Sequence, residues 1–385
     1  MARKKRQIVT AGKYNVVDLC SLIQGRFGQG SIMTMNNTPN IKVSSFTTGS
    51  LKIDKATGVG GFPRGRITEI YGPESSGKTT AILHAIAEAQ SQGELAAFID
   101  LENALDVEYA RNIGVDVDNL LISQPDCAED AIGIVEALID TGSVAIIGVD
   151  SIAAMVPRAE LEGTSGDAMM GLQARLMGQM CRKTAKSIRK FNVAVIFTNQ
   201  IRHKIGVVFG SPETTPGGNA MKFYAGIRIE IRKSTIYKGK DGEVISNDVK
   251  VKIVKNKLSA PFKQAVTNVK YGFGFNKWAE LLETGIENGV IEKRGAWISM
   301  NGEQLGQGKE QAELALREYD YKEMVKFITE PAEEVDEEEE AIEVTTTEVD
   351  NSDEIKKCKK MIKKYSGTDE KKVKKYTKRL EELNG

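Results

Sequence analysis

Long apolar runs, cysteine and histidine are scarce in this chain of 385 residues, which has four cysteines and two histidines. No run approaches the roughly 18 apolar residues that span a bilayer, so we expect no integral membrane protein. The basic start, MARKKRQIVTAGKY, lacks the apolar stretch of about 7–15 residues that a secretory signal needs. The cysteines lie far apart without a CxxC pair, at Cys20, Cys127, Cys181 and Cys358. This excludes a zinc or disulfide framework, and we expect a soluble globular protein of the cytoplasm.

Net charge is also absent, because 53 basic residues balance 53 acidic ones, but the balance is uneven along the chain. Residues 333–354 contain twelve acids and no base, whereas residues 355–380 contain twelve lysines or arginines. An acidic block repels itself and buries little apolar surface, which predicts an acidic disordered linker at 331–354. Apolar residues at helical spacing predict a basic helical tail at 355–385, although a tail that only adds solubility fits equally well. The rest of the chain has 41 bases and 37 acids and is mildly basic.

Short, β-rich apolar segments alternate with segments of helical pattern in the body of the chain. The predicted strands are Ile67–Tyr71, Ala96–Asp100, Leu120–Ile122, Val144–Asp150 and Val193–Thr198. The predicted helices between them are Lys78–Ser91, Ala104–Ile113, Ala128–Asp140 and Gln173–Lys190. The alternation predicts an α/β fold with a mostly parallel central sheet.

Three later segments alternate apolar and polar residues more strictly, which predicts antiparallel strands beside the parallel ones. They are Ile227–Lys233, Val249–Lys255 and Lys263–Tyr271. The patterns also divide the chain into regions. We predict a helical N-terminal arm at 1–33, a core at 34–274 and a small C-terminal α/β lobe at 275–330.

The strongest local signal is GPESSGKT, a GxxxxGK[ST] sequence between a predicted strand and a predicted helix. Its glycines let backbone N–H groups surround phosphates, and the helix N-terminus adds a positive end. The lysine is expected to reach the β- and γ-phosphates, and the threonine hydroxyl to bind Mg²⁺. The sequence therefore predicts a nucleotide site at Gly72, Pro73, Glu74, Ser75, Ser76, Gly77, Lys78 and Thr79.

Carboxylates follow two of the predicted strands. Asp150 ends the strand Val144–Val149, where a carboxylate would face the Mg²⁺ ion, although such an aspartate can also cap the next helix. Asp100 and Glu102 follow a second strand, where a carboxylate can orient and deprotonate an attacking water. Position alone does not choose between these two acids, and a solvated loop acid also fits.

Two segments after predicted elements have the composition of functional loops. Asn199-Gln200 follows a strand, where it could sense the γ-phosphate, and leads into the glycine-rich segment Ile201–Gly218 with Arg202, His203 and Lys204. The second segment is Glu160–Gly171. Cations beside apolar residues suit a groove for single-stranded nucleic acid, but composition alone favours an ordinary surface loop.

Five longer matches now identify a family. They are GPESSGKTT (72–80), AFIDLENALD (97–106), NQIRHKIGVVFGSPETTPGGNAMKFYA (199–225), KIVKNKLSAPFKQA (252–265) and GAWISMNGEQLGQGK (295–309). From about Arg26 to Gly308 the sequence resembles the bacterial RecA recombinase family, with a P-loop NTPase core of RecA type. Leu101 and Asn103 replace the usual neighbours of the catalytic glutamate, and the basic tail is atypical. These departures indicate a divergent or phage-encoded member.

The resemblance assigns roles that spacing left open. It implies that Glu102 activates water in preference to Asp100, and that Gln200 couples the γ-phosphate to a DNA-binding loop. It implies that Lys255 and Lys257 reach the ATP of a neighbouring subunit. The further nucleotide contacts that it implies are Thr80, Asp106, Tyr109 and Tyr271. The DNA contacts that it implies are Met170, Arg175, Arg202, Ile205, Gly217 and Gly218, and the implied interface anchor is Phe223.

The resemblance implies an ATP- and Mg²⁺-dependent protein of homologous recombination, DNA repair and the SOS response. It implies a filament on single-stranded DNA, polymerised through the N-terminal arm, that searches homologous duplex DNA and exchanges strands. Single-strand-binding protein and a LexA-type repressor are the further partners that it implies. The acidic linker is expected to compete with DNA phosphates for the basic loops. The alternatives are a RecA-fold DNA helicase and a non-catalytic recombination mediator.

Overall fold

The computed structural model describes residues 14–34, 43–163, 171–203, 206, 210, 212–239, 241–329 and 377. Its strands are β1 (Ser45–Phe46), β2 (Phe62–Pro63), β3 (Arg66–Gly72), β4 (Leu95–Asp100), β5 (Leu121–Ser123), β6 (Val144–Asp150), β7 (Ala194–Gln200), β8 (Arg202–His203), β9 (Glu213–Thr214), β10 (Ile227–Lys238), β11 (Val244–Asn256), β12 (Gln264–Lys270), β13 (Gly274–Phe275), β14 (Ile291–Arg294), β15 (Trp297–Met300) and β16 (Glu303–Gln307).

The helices of the described residues lie between and after these strands. They are α1 (Val16–Phe27), α2 (Leu51–Thr57), α3 (Lys78–Ser91), α4 (Val107–Ile113), α5 (Ala128–Thr141), α6 (Arg158–Glu162), α7 (Leu172–Lys190), α8 (Ala220–Tyr224), α9 (Lys277–Glu287), α10 (Lys309–Leu316) and α11 (Tyr321–Thr329), with a 3-10 turn at Ile152–Ala154. None of the helices in the described ranges is long and apolar enough to cross a membrane.

The main sheet has nine strands in the order β13-β12-β11-β10-β3-β7-β6-β4-β5. Strands β3, β7, β6, β4 and β5 run parallel, and β10 joins the edge of β3 in parallel. Strands β11, β12 and β13 then continue the sheet in antiparallel order. The predicted mixed, mostly parallel α/β sheet is therefore confirmed. The first of the three segments predicted as antiparallel, β10, is antiparallel only to β11.

The central strands are buried on both faces, as their continuous apolar sequences predict. In β7, Ala194 and Ile196 belong to the hydrophobic core beneath α3 and α4, whereas Val195 and Phe197 belong to the core beneath α5 and α7. Successive side chains of a strand point to opposite faces, so one apolar run serves both cores. The sheet is therefore covered by helices on each side, and its polar strand ends remain for function.

One predicted helix began too early. The sequence pattern placed its start at Ala104, but α4 begins at Val107 with Asp106 as its N-cap. The N–H groups of Ala104 and Leu105 are hydrogen-bonded to the buried Asp100 carboxylate, at 3.3 and 3.2 Å. These two hydrogen bonds hold Ala104 and Leu105 in a loop, because the side-chain acceptor competes with the helix for their N–H groups.

The C-terminal part has a separate small core. Helices α9, α10 and α11 pack on the antiparallel sheet β14-β15-β16, around buried residues such as Leu281, Ile298 and Leu316. The α/β lobe predicted there is confirmed. At the other terminus, α1 has a capping box between Asn15 and Asp18 but no buried residue. The predicted linker and basic tail lie outside the described residues, apart from one position of the tail.

Candidate nucleotide and nucleic-acid site

The P-loop lies between the end of β3 and the start of α3. Gly72 comes so close to β10 that a Cβ atom there would lie 2.0 Å from the carbonyl oxygen of Ile231. Gly77 has a φ of +94°, in the left-handed region that favours glycine. The two glycines are therefore required by the backbone, and they hold the N-terminus of α3 open toward the loop, where backbone N–H groups attract anions.

Lys78 is the first residue of α3, and its side chain folds back over the loop. Its Nζ donates to the carbonyl oxygens of Pro73 at 2.7 Å and Gly72 at 3.3 Å. Burial lowers the pKa of Lys78, and the neighbouring carboxylates of Asp150 and Glu102 oppose this shift. The structure therefore holds the ammonium group at the mouth of the loop, where a phosphate would be neutralised.

Asp150 ends β6 directly beside the P-loop. Its carboxylate accepts hydrogen bonds from the Thr79 hydroxyl and, at 2.5 Å, from the Thr198 hydroxyl. Burial raises the pKa of Asp150, and the two hydroxyl groups oppose the shift. Carboxylate and hydroxyl oxygens are the hard donors that Mg²⁺ prefers. The donor chemistry of Thr79 and Asp150 therefore fits a magnesium ion.

The two acids at the end of β4, Asp100 and Glu102, differ in burial and in hydrogen-bond partners. Asp100 is 1 % exposed, and besides the two loop N–H groups it accepts from Gln124 Nε2 at 3.0 Å. Glu102 is exposed, and its Oε1 accepts from the Ser151 hydroxyl at 2.6 Å and from Gln200 Nε2 at 3.2 Å. Asp100 has its oxygens engaged in fixing a loop, whereas Glu102 lies where water can reach it.

Gln200 is the last residue of β7 and connects two parts of the site. Its side chain contacts Glu102, and its backbone leads into the hairpin of β8 and β9, in which Arg202 pairs with Thr214. Arg202 is exposed at the point where both ends of the segment from 201 to 218 meet. The structure therefore brings the predicted base, the predicted sensor and the start of a predicted DNA loop into one neighbourhood.

A cleft of about 250 Å³ lies beside the P-loop. Its lining includes Tyr109 and Tyr271, both predicted as nucleotide contacts, and Asn247, which the sequence did not single out. The Tyr109 hydroxyl lies 2.8 Å from the Thr80 hydroxyl, and burial raises the pKa of Tyr109. Asp106 acts locally as the N-cap of α4. Two aromatic rings beside a phosphate loop suit a purine base.

Lys255 and Lys257 lie at the opposite end of the sheet. Lys255 Nζ donates to the carbonyl oxygens of Lys222 and Phe223, at 2.5 and 3.0 Å, and Lys257 Nζ donates to Phe223 at 2.7 Å. Burial, with further contributions from Lys257 and Arg228, lowers the pKa of Lys255 to about 8. Phe223 itself is 71 % exposed. The two cations thus hold the end of α8, from which an aromatic side chain projects into solvent.

Part of the predicted DNA surface is assembled beside the N-terminus of α7. Gly217 donates its N–H to Gln173 Oε1 at 3.2 Å, and a Cβ atom at Gly218 would lie 2.7 Å from the Cβ of Ala174. The exposed Arg175 follows Ala174 directly. Two further predicted contacts, Met170 and Ile205, lie outside the described residues.

Comparison with known proteins identifies the family. The family model of the RecA N-terminal domain matches residues 16–276, and that of the RecA C-terminal domain matches residues 279–331. The chain belongs to the RecA family. It is similar to Protein RecA of Desulforapulum autotrophicum, with 58% identity over 293 residues that cover 76% of this chain and 84% of that protein.

Two further relatives of this RecA-family chain have similar coverage. Protein RecA of Brucella anthropi is 55% identical over 299 residues, which are 77% of this chain and 82% of the relative. Protein RecA of Staphylococcus aureus is 53% identical over 292 residues, which are 76% of this chain and 84% of the relative. The resemblance inferred from the sequence motifs is therefore confirmed at the level of the family.

The sequence reasoning missed several polar residues of the RecA-family site. Ser151 contacts Glu102, and Thr198 contacts Asp150. Ser151 follows a predicted strand and Thr198 ends one, and this position at a strand end could have identified both from the sequence. Asn247 lies in the middle of β11, a position that carries no such signal. Only the packing of strands from distant parts of the sequence brings it into the cleft.

Proposed function

We propose that this RecA-family chain is a DNA-dependent ATPase and strand-exchange recombinase of homologous recombination and DNA repair. The single observation that carries the proposal is the contact between Glu102 and Gln200, 3.2 Å apart, at the end of the strand that continues into a predicted DNA loop. A group that can activate water is thereby joined to a segment that can bind DNA. Membership of the RecA family supports the same activity.

ATP binding is assigned to the P-loop and the aromatic cleft beside it. Lys78 is placed to neutralise phosphate charge, and Thr79 and Asp150 are the residues that would hold Mg²⁺. The ion supplies charge neutralisation on the phosphates when it is bound. Tyr109 and Tyr271 offer their rings to the base. The chain's own contribution is to orient the nucleotide and to exclude water from one side of it.

Hydrolysis is assigned to Glu102. As a general base it would accept a proton from the attacking water at Oε1 or Oε2, a role that contributes about 10² to 10⁴ in rate. Ser151 and Gln200 both donate to Oε1 and so orient the carboxylate. A movement of the start of the segment that follows β7 would carry the Gln200 side chain away from Glu102. Turnover would therefore respond to what that segment binds.

Lys255 and Lys257 are assigned to the ATP of a second copy. In their own chain, the backbone N–H of Lys257 donates to the carbonyl oxygen of Gly226. The N–H of Gly226 in turn donates to the carbonyl oxygen of Ile67 in β3. Ile67 precedes Gly72 by five residues, about 17 Å along a strand at 3.3 Å per residue. The lysines point to the end of α8 rather than to their own P-loop. A filament in which copies stack would supply them in trans, with Phe223 in the interface.

DNA binding is assigned to the segments on either side of Gly217 and Gly218. Arg175 and Arg202 are exposed cations that can contact phosphates. Glycines allow a phosphate to approach the backbone closely, because no Cβ atom intervenes. Among the described residues, this surface offers exposed arginines and glycine backbone, groups that can bind phosphates. This suits binding that is independent of sequence, as strand exchange between any two homologous DNA molecules requires.

Joint-molecule formation is the experiment that tests the proposal. Single-stranded DNA coated with the protein and ATP is mixed with homologous or with heterologous duplex. We expect joints with the homologous duplex only, and none when ATP is omitted. Absence of joints together with normal DNA-stimulated ATP turnover would replace the proposal with a DNA-dependent motor or a mediator. Equal joint yields with both duplexes would exclude a homology search.

A further inference from the structure

A buried carboxylate outside the nucleotide site connects both ends of the predicted DNA loop. Glu69 lies in the middle of β3 and is completely buried. Its Oε2 accepts from Arg228 Nε of β10 at 2.5 Å, and its Oε1 accepts from Asn199 Nδ2 of β7 at 2.9 Å. Buried charges are retained where they are paired and hydrogen-bonded. Glu69 meets both conditions, and its two partners come from the strands on either side.

Asn199 uses its side-chain amide to hold two points that are far apart in the sequence. Its Nδ2 donates to the carbonyl oxygen of Pro216 at 3.1 Å, as well as to Glu69. Its Oδ1 accepts the backbone N–H of Gln200 at 3.0 Å. One buried side chain therefore contacts the first and the last part of the segment from Gln200 to Pro216. Asn199 itself is 0 % exposed.

The orientation of this amide is set by Glu69 together with the carbonyl of Pro216. A carboxylate and a carbonyl oxygen accept hydrogen bonds only, so Asn199 turns its Nδ2 toward both of them and its Oδ1 toward Gln200. The opposite orientation would place Oδ1 against the two acceptors and Nδ2 against an N–H group. Glu69 thereby helps to fix the acceptor for the N–H of Gln200, whose side chain contacts Glu102.

We propose that Glu69 is a positioning residue that, through Asn199, holds Gln200 and the carbonyl of Pro216 in register and so transmits DNA binding to Glu102. The inference rests on the proposed DNA-stimulated ATPase and deepens it. Arg228 extends the same network toward the proposed interface, because it is opposite Lys255 in the register of β10 and β11 and, besides burial, its charge helps to lower the pKa of Lys255. The network thus joins the DNA segment, the water-activating acid and the interface cations through contacts within one chain.

The substitution Glu69→Gln tests the orienting role. Arg228 is charged and keeps the remaining carbonyl oxygen of the substituted side chain, because charged donors form the stronger hydrogen bonds. The new amide N–H₂ then faces Nδ2 of Asn199, donor against donor. Asn199 either keeps its orientation and loses this contact, or turns over and loses its hydrogen bonds to Pro216 and Gln200. We expect the ratio of DNA-stimulated to DNA-free ATP turnover to fall about tenfold, within the range of coupling free energies in proteins.

A second substitution restores two of the three hydrogen bonds of residue 199, leaves the carbonyl of Pro216 without its donor, and serves as the decisive arm. In Asn199→Asp alone, two carboxylates face each other in a buried place and repel, so coupling is expected to be lost. In Glu69→Gln with Asn199→Asp, the aspartate can accept both from the new amide and from the N–H of Gln200. The double variant should recover at least about a third of the lost stimulation ratio, as residues of one network are not additive.

The control is Glu94→Gln, which makes the same chemical change in a bidentate ion pair with Arg64 at 2.7 and 2.6 Å, remote from Gln200 in the fold. It should keep the wild-type ratio. Thermal unfolding and ATP affinity are measured on every variant. If Glu69→Gln does not fold, Asn199→Ala keeps the Glu69–Arg228 pair and should show the same loss of stimulation.

Two outcomes would overturn the inference: an unchanged ratio in Glu69→Gln, whether both turnover rates stay at the wild-type level or fall by the same factor, or a double variant no better than either single one. An equal fall of both rates would mean that Glu69 only stabilises the sheet. If instead the wild-type protein shows no DNA-stimulated turnover, the proposed function is refuted, and this inference is refuted as well because it rests on that function. The two failures are therefore distinguished by the wild-type measurement.

Discussion

The two ends of the central sheet differ in what a single chain can complete. At the carboxyl ends of β3, β6 and β7, the side chains of Lys78, Asp150 and Gln200 meet partners from their own chain. At the other end, Lys255 and Lys257 contact only carbonyl oxygens of α8, and no carboxylate of the described residues lies within ion-pair distance of them. In the proposed function, the first end binds ATP, and the second contributes its two lysines to the ATP of another copy.

The difference is informative because both ends are made of the same strands. In a parallel sheet the carboxyl ends of all strands lie on the same side, so groups that follow β3, β4, β6 and β7 come close together. The antiparallel strand β11 runs the other way and delivers its last residues to the opposite edge. The direction of the strands therefore separates the P-loop from the two lysines that we propose to act on the ATP of a second copy. Stacking of copies would bring them together.

The substitution Lys78→Ala tests the complete end and should have the largest effect. Removing the ammonium group leaves the phosphates without their nearest cation in the site. We expect ATP turnover to fall about 10³-fold, the upper end of what one electrostatic group contributes to a transition state. Turnover with and without DNA is measured by phosphate release. Unchanged turnover would refute the assignment of the nucleotide site.

The second largest effect is expected from a comparison of Glu102 with Asp100, the two acids at the carboxyl end of β4. Glu102→Gln should keep DNA binding but lower turnover about 10²-fold, because an amide cannot accept the proton of water. Asp100→Asn is the matched control. It replaces one carboxylate oxygen by an amide N–H₂, which then faces the N–H group of either Ala104 or Leu105. This should cost about 1–3 kcal/mol of unfolding free energy, with turnover per folded molecule unchanged. The reverse result would transfer the role of base to Asp100.

The incomplete end is tested with Lys255→Ala. ATP binding should persist, because this lysine is remote from its own P-loop, while DNA-stimulated turnover should fall about tenfold, the effect of losing one hydrogen bond to a charged group. Mixing Lys255→Ala with Lys78→Ala sharpens the test. If the lysine acts in trans, some interfaces of a mixed filament pair an intact P-loop with an intact Lys255. Equal turnover in Lys255→Ala and wild type would argue against the contact.

The smallest effect is a pH dependence at the same end. The pKa of Lys255 is about 8 instead of the usual 10.5, so its charge is lost as the pH rises through about 8. DNA-stimulated turnover should decline in that range, and Lys255→Arg should not show the decline. Unfolding does not explain such a loss. Between pH 8 and 10.5 the unfolded chain holds this proton more tightly, so the lysine's contribution to folding stability rises with pH.

The sequence was sufficient wherever one signal was strong and local. The P-loop was assigned from GPESSGKT, and the helix predicted after it, Lys78–Ser91, has the observed bounds. Glycine spacing and an apolar strand before the loop leave few other structures open to this segment. The start of α4 was wrong because a buried carboxylate, Asp100, captures the N–H groups that the helix would have used. The competition arises because Asp100 is buried at the end of β4, and helix propensity, which is a property of the local sequence, contains no information on that burial.

The choice between Asp100 and Glu102 shows the limit more clearly. Two acids two residues apart on a strand and its loop are equivalent in sequence, and only a family resemblance separated them. In the structure one carboxylate is enclosed by loop N–H groups and the other faces Gln200. Burial and partner identity come from segments about 50 and 100 residues away. They are therefore properties of the packed sheet.

What the sequence determined by itself is the α/β sheet, and from local patterns it predicted the kind of chemistry, a phosphate loop and a pair of magnesium ligands. What only the tertiary structure decided is which groups act on one another. It joined Glu102 to Gln200, buried Glu69 between Arg228 and Asn199, and turned Lys255 away from its own nucleotide loop. The physical reason is that hydrogen bonds and charge interactions act over a few ångströms. Strand order and register, which bring distant segments within that range, are set by the packing of the whole sheet.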